Sequence, residues 1–251
     1  CSVRRQRQMC IRDRLGGAPF ALAVDTAVEI RASELGLGVN KGARVYVLPC
    51  IAGHVGADAA GVVLAEAPQK AEINTLVVDV GTNAEIVVGN SKRMLAASSP
   101  TGPAFEGAQI SSGQRAAPGA IERIRIDKDT LEPCFRVIGV EQWSNEDGFD
   151  EAVKSTGITG ICGSGIIEVL AEMYLSGILS TDGVIDGTVA ARTPRIEEDG
   201  RTFAYRVAEN VVVTQNDVRA IQLAKAALHA GFRLLMDKIC LLYTSPSPRD
   251  W

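Results

Sequence analysis

The sequence predicts an α/β fold in which a mixed sheet is flanked by helices. Three observations carry this reading. An apolar run that reads as a buried strand, "TLVVDV" from Thr75 to Val80, runs into a Gly-Thr-Asn turn and returns as a second strand, "AEIVVG", from Ala84 to Gly89. Ile121 to Val140 alternates apolar and polar residues around the polar stretch "DKDTLEP" and reads as a hairpin. Val218, Ile221, Leu228, Phe232, Leu235 and Ile239 recur at three- and four-residue steps or their sums, which makes one apolar stripe along a helix.

The remaining elements follow in chain order. Leu15 to Lys41 is irregular, and "ARVYVLP" (Ala43 to Pro49) reads as a buried strand stopped by proline. "GADAAGVVLAEA" (Gly56 to Ala67) is a short helix whose small residues permit close packing. Gly89 and Asn90 supply a turn into a third strand around Met94 to Ala97. Ser98 to Ala120 is poor in large side chains; its only acid is Glu106 and its only base Arg115. "GICGSG" (Gly160 to Gly165) precedes a helix with Ile166, Ile167, Leu170, Met173 and Tyr174 on one side, ending at Gly177. Phe203, Tyr205 and Val207 alternate in a strand, and "VVVT" (Val211 to Thr214) follows a Glu-Asn turn. Asn216 is the expected N-cap of the last helix.

Composition narrows the function classes. The 251 residues suit one large domain or two small ones, and with 46% hydrophobic and 22% charged residues they can build an ordinary core. A net charge of -4 without a basic stripe argues against nucleic-acid binding. No apolar run approaches the roughly 18 residues of a membrane span. The six cysteines form no C-x-x-C pair; Cys50, Cys134 and Cys162 are expected to be buried, reduced thiols of a cytoplasmic protein. His54 and His229 stand alone and read as structural. Both ends are anomalous: "CSVRRQRQMCIRDR" and "CLLYTSPSPRDW" resemble translated sequencing-adapter read-through. Residues 1–14 and 240–251 are therefore set aside, and 15–239 is expected to be an internal fragment of a longer protein.

The chemistry concentrates at "VDVGTNAE". Glycine at a strand end lets backbone N–H groups approach phosphate oxygens, and Thr82 and Asn83 add donors beside Gly81. Asp79 would face phosphate only through Mg²⁺ or water, because like charges repel. A plain strand–turn–strand with a solvent-facing aspartate has the same pattern. Gly163, Ser164 and Gly165 at a helix start suit either an anion nest or tight helix-on-sheet packing. Glu106 could position water or Mg²⁺, or simply be an acid at a helix start. Lys225, at the edge of the last apolar stripe, fits a nucleotide contact or a snorkelling rim residue. Neither a G-x-G-x-x-G nor a Walker A sequence is present.

Taken together, "VDVGTNAEIVV", "SSPTGPAFEGAQISSGQRAAPGAI", "GICGSGIIEVLAEMY" and "TQNDVRAIQLAKAAL" resemble the C-terminal ATPase domain of the reductive activators of corrinoid proteins. That family shares its fold with acetate and sugar kinases, heat-shock chaperones and actin. The resemblance implies an actin-like, ribonuclease-H-like ATPase in which two subdomains clasp ATP and Mg²⁺ between two phosphate loops. On this view 15–239 is the second subdomain, with the first loop before Leu15. Asp79 and Glu106 are then the candidate catalytic residues, with Asp79 on the metal. Gly81, Thr82, Asn83, Gly163, Ser164, Gly165 and Lys225 are the candidate nucleotide contacts. The resemblance further implies a [2Fe–2S] domain upstream, a corrinoid protein or corrinoid methyltransferase component as partner, and ATP hydrolysis coupled to reduction of Co(II) to Co(I). It leaves a homo-oligomer open, and the isolated fragment is expected to be inactive. The rivals are a small-molecule kinase of the same superfamily and a non-catalytic actin-like scaffold.

Overall fold

A computed structural model describes residues 26–239; the two terminal strings set aside above lie outside them. The chain divides into two compact units. Of the described residues, the first holds 26–79, Ala84–Ser99 and 230–239; the second holds Val80–Asn83 and Pro100–His229.

In the first unit, β1 (Val28–Arg31) pairs antiparallel with β2 (Arg44–Val47), and α1 follows at Ala57–Glu66. The expected strand at Ala43 to Pro49 is thus shorter, and it is not buried: it alternates exposed and half-buried residues, because only β1 flanks it. α1 starts after Gly56 and ends at Ala67, whose left-handed φ of 50° reverses the chain. β3 (Thr75–Val80), β4 (Ala84–Gly89) and β5 (Met94–Ser99) form a three-stranded sheet in that order. β3 is an edge strand, so its expected burial also fails: Leu76, Val78 and Val80 are exposed while β4 is buried. The β4–β5 turn is held by Asn90, whose side-chain oxygen accepts from the Lys92 and Arg93 amides. Gly89 allows that turn, since a Cβ there would sit 2.1 Å from the Arg93 carbonyl oxygen.

The second unit contains the larger core. β6 (Ala120–Ile126) pairs antiparallel with β7 (Pro133–Val137) and parallel with the short β8 (Gly160–Ile161), which makes the predicted mixed sheet. A helical turn, α2 (Phe149–Ala152), precedes β8, and α3 (Gly163–Leu175) leaves it. β9 (Ile196–Asp199), β10 (Thr202–Ala208) and β11 (Val211–Thr214) form an antiparallel sheet, followed by α4 (Gln215–Lys238). α4 begins in this unit and ends in the first. Its N-terminus is not capped by Asn216. Thr214 and Asp217 cap it reciprocally, the Thr214 amide donating to Asp217 Oδ2 (2.8 Å) and the Asp217 amide to Thr214 Oγ1 (3.2 Å).

α3 lies on β6 through one stripe of side chains. Gly165 permits the contact, because a Cβ there would approach the Ile121 carbonyl oxygen to 2.6 Å. Beyond Ile121, β8 no longer covers the edge of β6, and α3 does so instead. Ser164 Oγ donates to the Glu122 carbonyl (3.0 Å), while Glu168 accepts from the Ile124 amide (2.7 Å) and Glu172 from the Ile126 amide (3.0 Å). Four helical residues rise about 6 Å and two strand residues about 6.8 Å, so the two ladders stay in step over this length. Ile166, Val169 and Met173 fill the core beneath, whereas Ile167 and Tyr174, expected on that face, are exposed. Burial of the remaining interior thiols also differs from expectation: Cys162 is buried, Cys134 is partly so, and Cys50 is exposed.

Candidate functional site

The first part of the Ser98 to Ala120 loop folds back onto the turn that follows β3. The loop starts with Thr101, whose buried hydroxyl donates to the carbonyls of both Gly81 and Thr82 (3.2 Å each). A 3₁₀ turn, Pro103–Glu106, follows between Gly102 and Gly107, both at positive φ. This turn brings Glu106 back to the strand end, where Thr82 Oγ1 donates to Glu106 Oε2 at 2.8 Å. The carboxylate lies close to Gly81 as well: a Cβ there would be in ordinary van der Waals contact, 3.6 Å from Glu106 Oε1.

The second half of the loop is pinned from two sides. Its Ile161 bridge is parallel: the Ile161 amide donates to the Ser112 carbonyl and the Gln114 amide to the Ile161 carbonyl (2.9 Å each). Gly113 is required here, since a Cβ would come within 2.1 Å of the Gly107 carbonyl oxygen. Asp217, which is 2% exposed, accepts from the amide of Ser111 (2.8 Å) and from its hydroxyl (3.1 Å). Ser112 Oγ donates to the Val212 carbonyl and accepts from the Val212 amide. A small-residue loop without a core of its own is thereby held rigid by hydrogen bonds.

The result is an open cleft of 460 Å³ lined by Val80, Glu106, Arg115, Cys162, Gly163 and Ser164 among others. It combines one carboxylate, one guanidinium and the start of α3, whose first amides carry partial positive charge. Such a wall suits an anionic ligand with a counter-ion. Arg115 makes no ion pair among the described residues.

The structure brings Glu106, Gly163 and Ser164 into one cleft and ties Thr82 to it. Asp79 is half-buried at the end of β3, one residue before Val80. Asn83 is exposed, and its carbonyl accepts from the Gly81 amide (2.9 Å). Gly163 and Gly165 both serve packing: a Cβ on Gly163 would lie 2.1 Å from the Phe105 carbonyl oxygen. The Ser164 hydroxyl is engaged with Glu122. Lys225 is exposed on α4 and does not line the cleft. Sequence reasoning missed Thr101 and the placement of Arg115. For Arg115 a signal existed, as the only base in its loop; Thr101 carried none.

The comparisons with known proteins agree with this architecture. A family model for the C-terminal domain of RACo, the ASKHA domain, matches residues 73–245, and one for the RACo middle region matches residues 11–71. The corrinoid activation enzyme RamQ of Eubacterium limosum is 32% identical over 236 residues, which is 89% of this chain and 37% of that protein. The [Co(II) methylated amine-specific corrinoid protein] reductase of Methanosarcina barkeri is 29% identical over 193 residues, 70% of this chain and 35% of that protein. A solved structure of a reductive activator for corrinoid, iron–sulfur protein superposes with a TM-score of 0.73 at 30% identity, covering 92% of this chain and 35% of its own. The chain thus spans little more than a third of the length of these relatives. The chain belongs to the RACo family, and within it to the middle region and the actin-like ASKHA domain.

Proposed function

We propose that this chain is the nucleotide-binding part of an ATP-dependent reductive activator of corrinoid proteins. The observation that carries the reading is the convergence of the Gly81–Thr82 turn, Glu106 and the start of α3 at the end of β3, within a chain of this family. ATP would enter with its phosphates toward Gly81, Thr82 and Asn83 and the first amides of α3. The carboxylate of Asp79 would hold Mg²⁺ through water, since that ion keeps several waters and takes only one or two carboxylates besides phosphate. Glu106 would orient the attacking water or the hydrated ion with the oxygen that does not hold Thr82. Mg²⁺, when bound, would neutralise charge developing on the transferred phosphoryl group.

The family boundary bears on the place of this loop. The ASKHA match begins at residue 73, just ahead of β3. We infer that the Asp79 loop would be the first phosphate loop of the ATPase domain, an alternative to its assignment to a second subdomain spanning 15–239; the start of the match supports this reading.

Hydrolysis would drive closure of the ATPase and so bias the conformation of a bound corrinoid protein, coupling an exergonic step to the difficult reduction of Co(II) to Co(I). A [2Fe–2S] centre, expected in a part of the protein outside this chain, would deliver the electron. A cytoplasmic location belongs to the same reading; among the described residues no helix is long and apolar enough to cross a membrane. The test is anaerobic. The complete protein, a low-potential reductant and a Co(II) corrinoid protein are mixed, and formation of Co(I) is followed by visible absorbance. Reduction should require Mg-ATP and fail with ADP; equal rates with and without ATP would overturn the proposal.

A further inference from the structure

Thr101 is the least conspicuous residue of the site and the most constrained. It is 6% exposed, and its single hydroxyl proton is shared between two consecutive carbonyl oxygens, those of Gly81 and Thr82, at 3.2 Å each. The consequence follows from peptide geometry. In a planar trans peptide the C=O and the N–H of the same unit point in opposite directions. The Gly81 carbonyl shares its unit with the Thr82 amide, and the Thr82 carbonyl shares its unit with the Asn83 amide. Holding both carbonyls on one side therefore turns both amides toward the other. Neither amide donates to an acceptor among the described residues. Two successive free N–H groups on one side of a turn form a concave donor pair suited to an anion's oxygen.

We propose that Thr101 is a positioning residue that presets these two amides for a phosphate oxygen of the nucleotide. This inference rests on the assignment of the loop as a phosphate loop, and it adds the device that orients it. Gly81 imposes no side-chain restriction on its own peptide, and the other tethers of the turn among the described residues are the Thr82 hydroxyl on Glu106 and the Gly81 amide on the Asn83 carbonyl, neither of which fixes the side toward which the Gly81 and Thr82 carbonyls point. Without Thr101 the two carbonyls, which belong to the half-exposed Gly81 and the exposed Thr82, would be rehydrated with little loss of stability. The peptides would then sample orientations that present carbonyl oxygens to the phosphate, and like-signed atoms repel.

The experiment compares Thr101→Val, which keeps shape and removes the proton, with Thr101→Ser, which keeps the hydroxyl. Both are made in the complete protein, and binding of Mg-ATP, Mg-ADP and adenosine is measured by calorimetry alongside thermal unfolding. Thr101→Val should weaken ATP and ADP binding about tenfold and leave adenosine binding and the unfolding midpoint nearly unchanged. Its KM for ATP should rise with kcat within about twofold. Thr101→Ser should restore nucleotide affinity. The proposal is overturned if Thr101→Val binds ATP like wild type, if ATP and adenosine weaken alike, or if serine fails to rescue. Wild-type protein that binds no Mg-ATP would overturn the phosphate-loop assignment itself, and this inference with it.

Discussion

Replacing Glu168 by alanine removes the carboxylate with which α3 closes the open edge of β6. The Ile124 amide loses its acceptor at 2.7 Å, and Ile124 itself is completely buried. A hydrogen bond to an ionised group contributes about 1.5–3 kcal/mol, and a buried donor left unpaired retains most of that cost. Glu168 also pairs with Arg123 and Arg125, but their side chains are 51% and 47% exposed, so these contacts add only about 0–1 kcal/mol. The expected loss is about 2–3 kcal/mol, read as a lower midpoint in urea unfolding followed by circular dichroism. Glu168→Gln keeps an acceptor oxygen and should lose only about 1 kcal/mol. The pH dependence separates the two contributions. Burial opposes ionisation of Glu168, yet the hydrogen bonds from Arg125 and the Ile124 amide, with the charges of Arg125 and Arg123, hold its carboxyl below the usual range. A depressed carboxyl stabilises the fold fully above its unfolded value of 4.5, and that share is lost as pH falls through the folded value. The gap between wild type and Glu168→Gln should therefore close in acid. An alanine variant within about 0.5 kcal/mol of wild type at pH 7, or parallel pH profiles, would refute the edge-closing role. Because α3 begins at the cleft, the alanine variant should also bind nucleotide more weakly.

Three further outcomes are expected. Asp79→Asn in the complete protein should keep the fold and slow ATP hydrolysis about a hundredfold, near 3 kcal/mol of transition-state stabilisation, with a much smaller change in nucleotide affinity; wild-type turnover would make the aspartate merely structural. Gly163→Ala should cost about 1–3 kcal/mol, because the new Cβ meets the Phe105 carbonyl oxygen, and should displace the adjoining Glu106, seen as a lower unfolding midpoint and weaker ATP binding. Tyr205→Phe strands the Leu131 carbonyl that the phenol serves at 2.9 Å and should cost about 1–2 kcal/mol in urea unfolding. Burial raises the Tyr205 pKa above its ordinary value of 10.0, so its stabilisation is intact below that pH and lost as pH rises toward the folded value; the phenylalanine variant should lack this alkaline loss.

The sequence by itself determined the elements whose cause is local. The β3–β4 and β6–β7 turns, the helix α3 beside "GICGSG" and the long run of α4 follow from alternation, turn residues and helical spacing within a few positions. The turn after Asp79 was legible for the same reason, since glycine and short polar residues at a strand end favour a turn. Tertiary structure decided what depends on distant neighbours. An apolar run such as Thr75–Val80 reads as buried, but its place at a sheet edge exposes Leu76, Val78 and Val80. Ile167 and Tyr174 share a helical face with core residues only until the axis of α3 is set by Gly165 and the Ser164–Glu168–Glu172 stripe on β6. Thr101 has no pattern at all, because its role is made by two carbonyls 19 and 20 residues away. Periodicity reports the direction in which a side chain leaves the backbone; what it meets there is fixed only when segments far apart in the chain close upon one another.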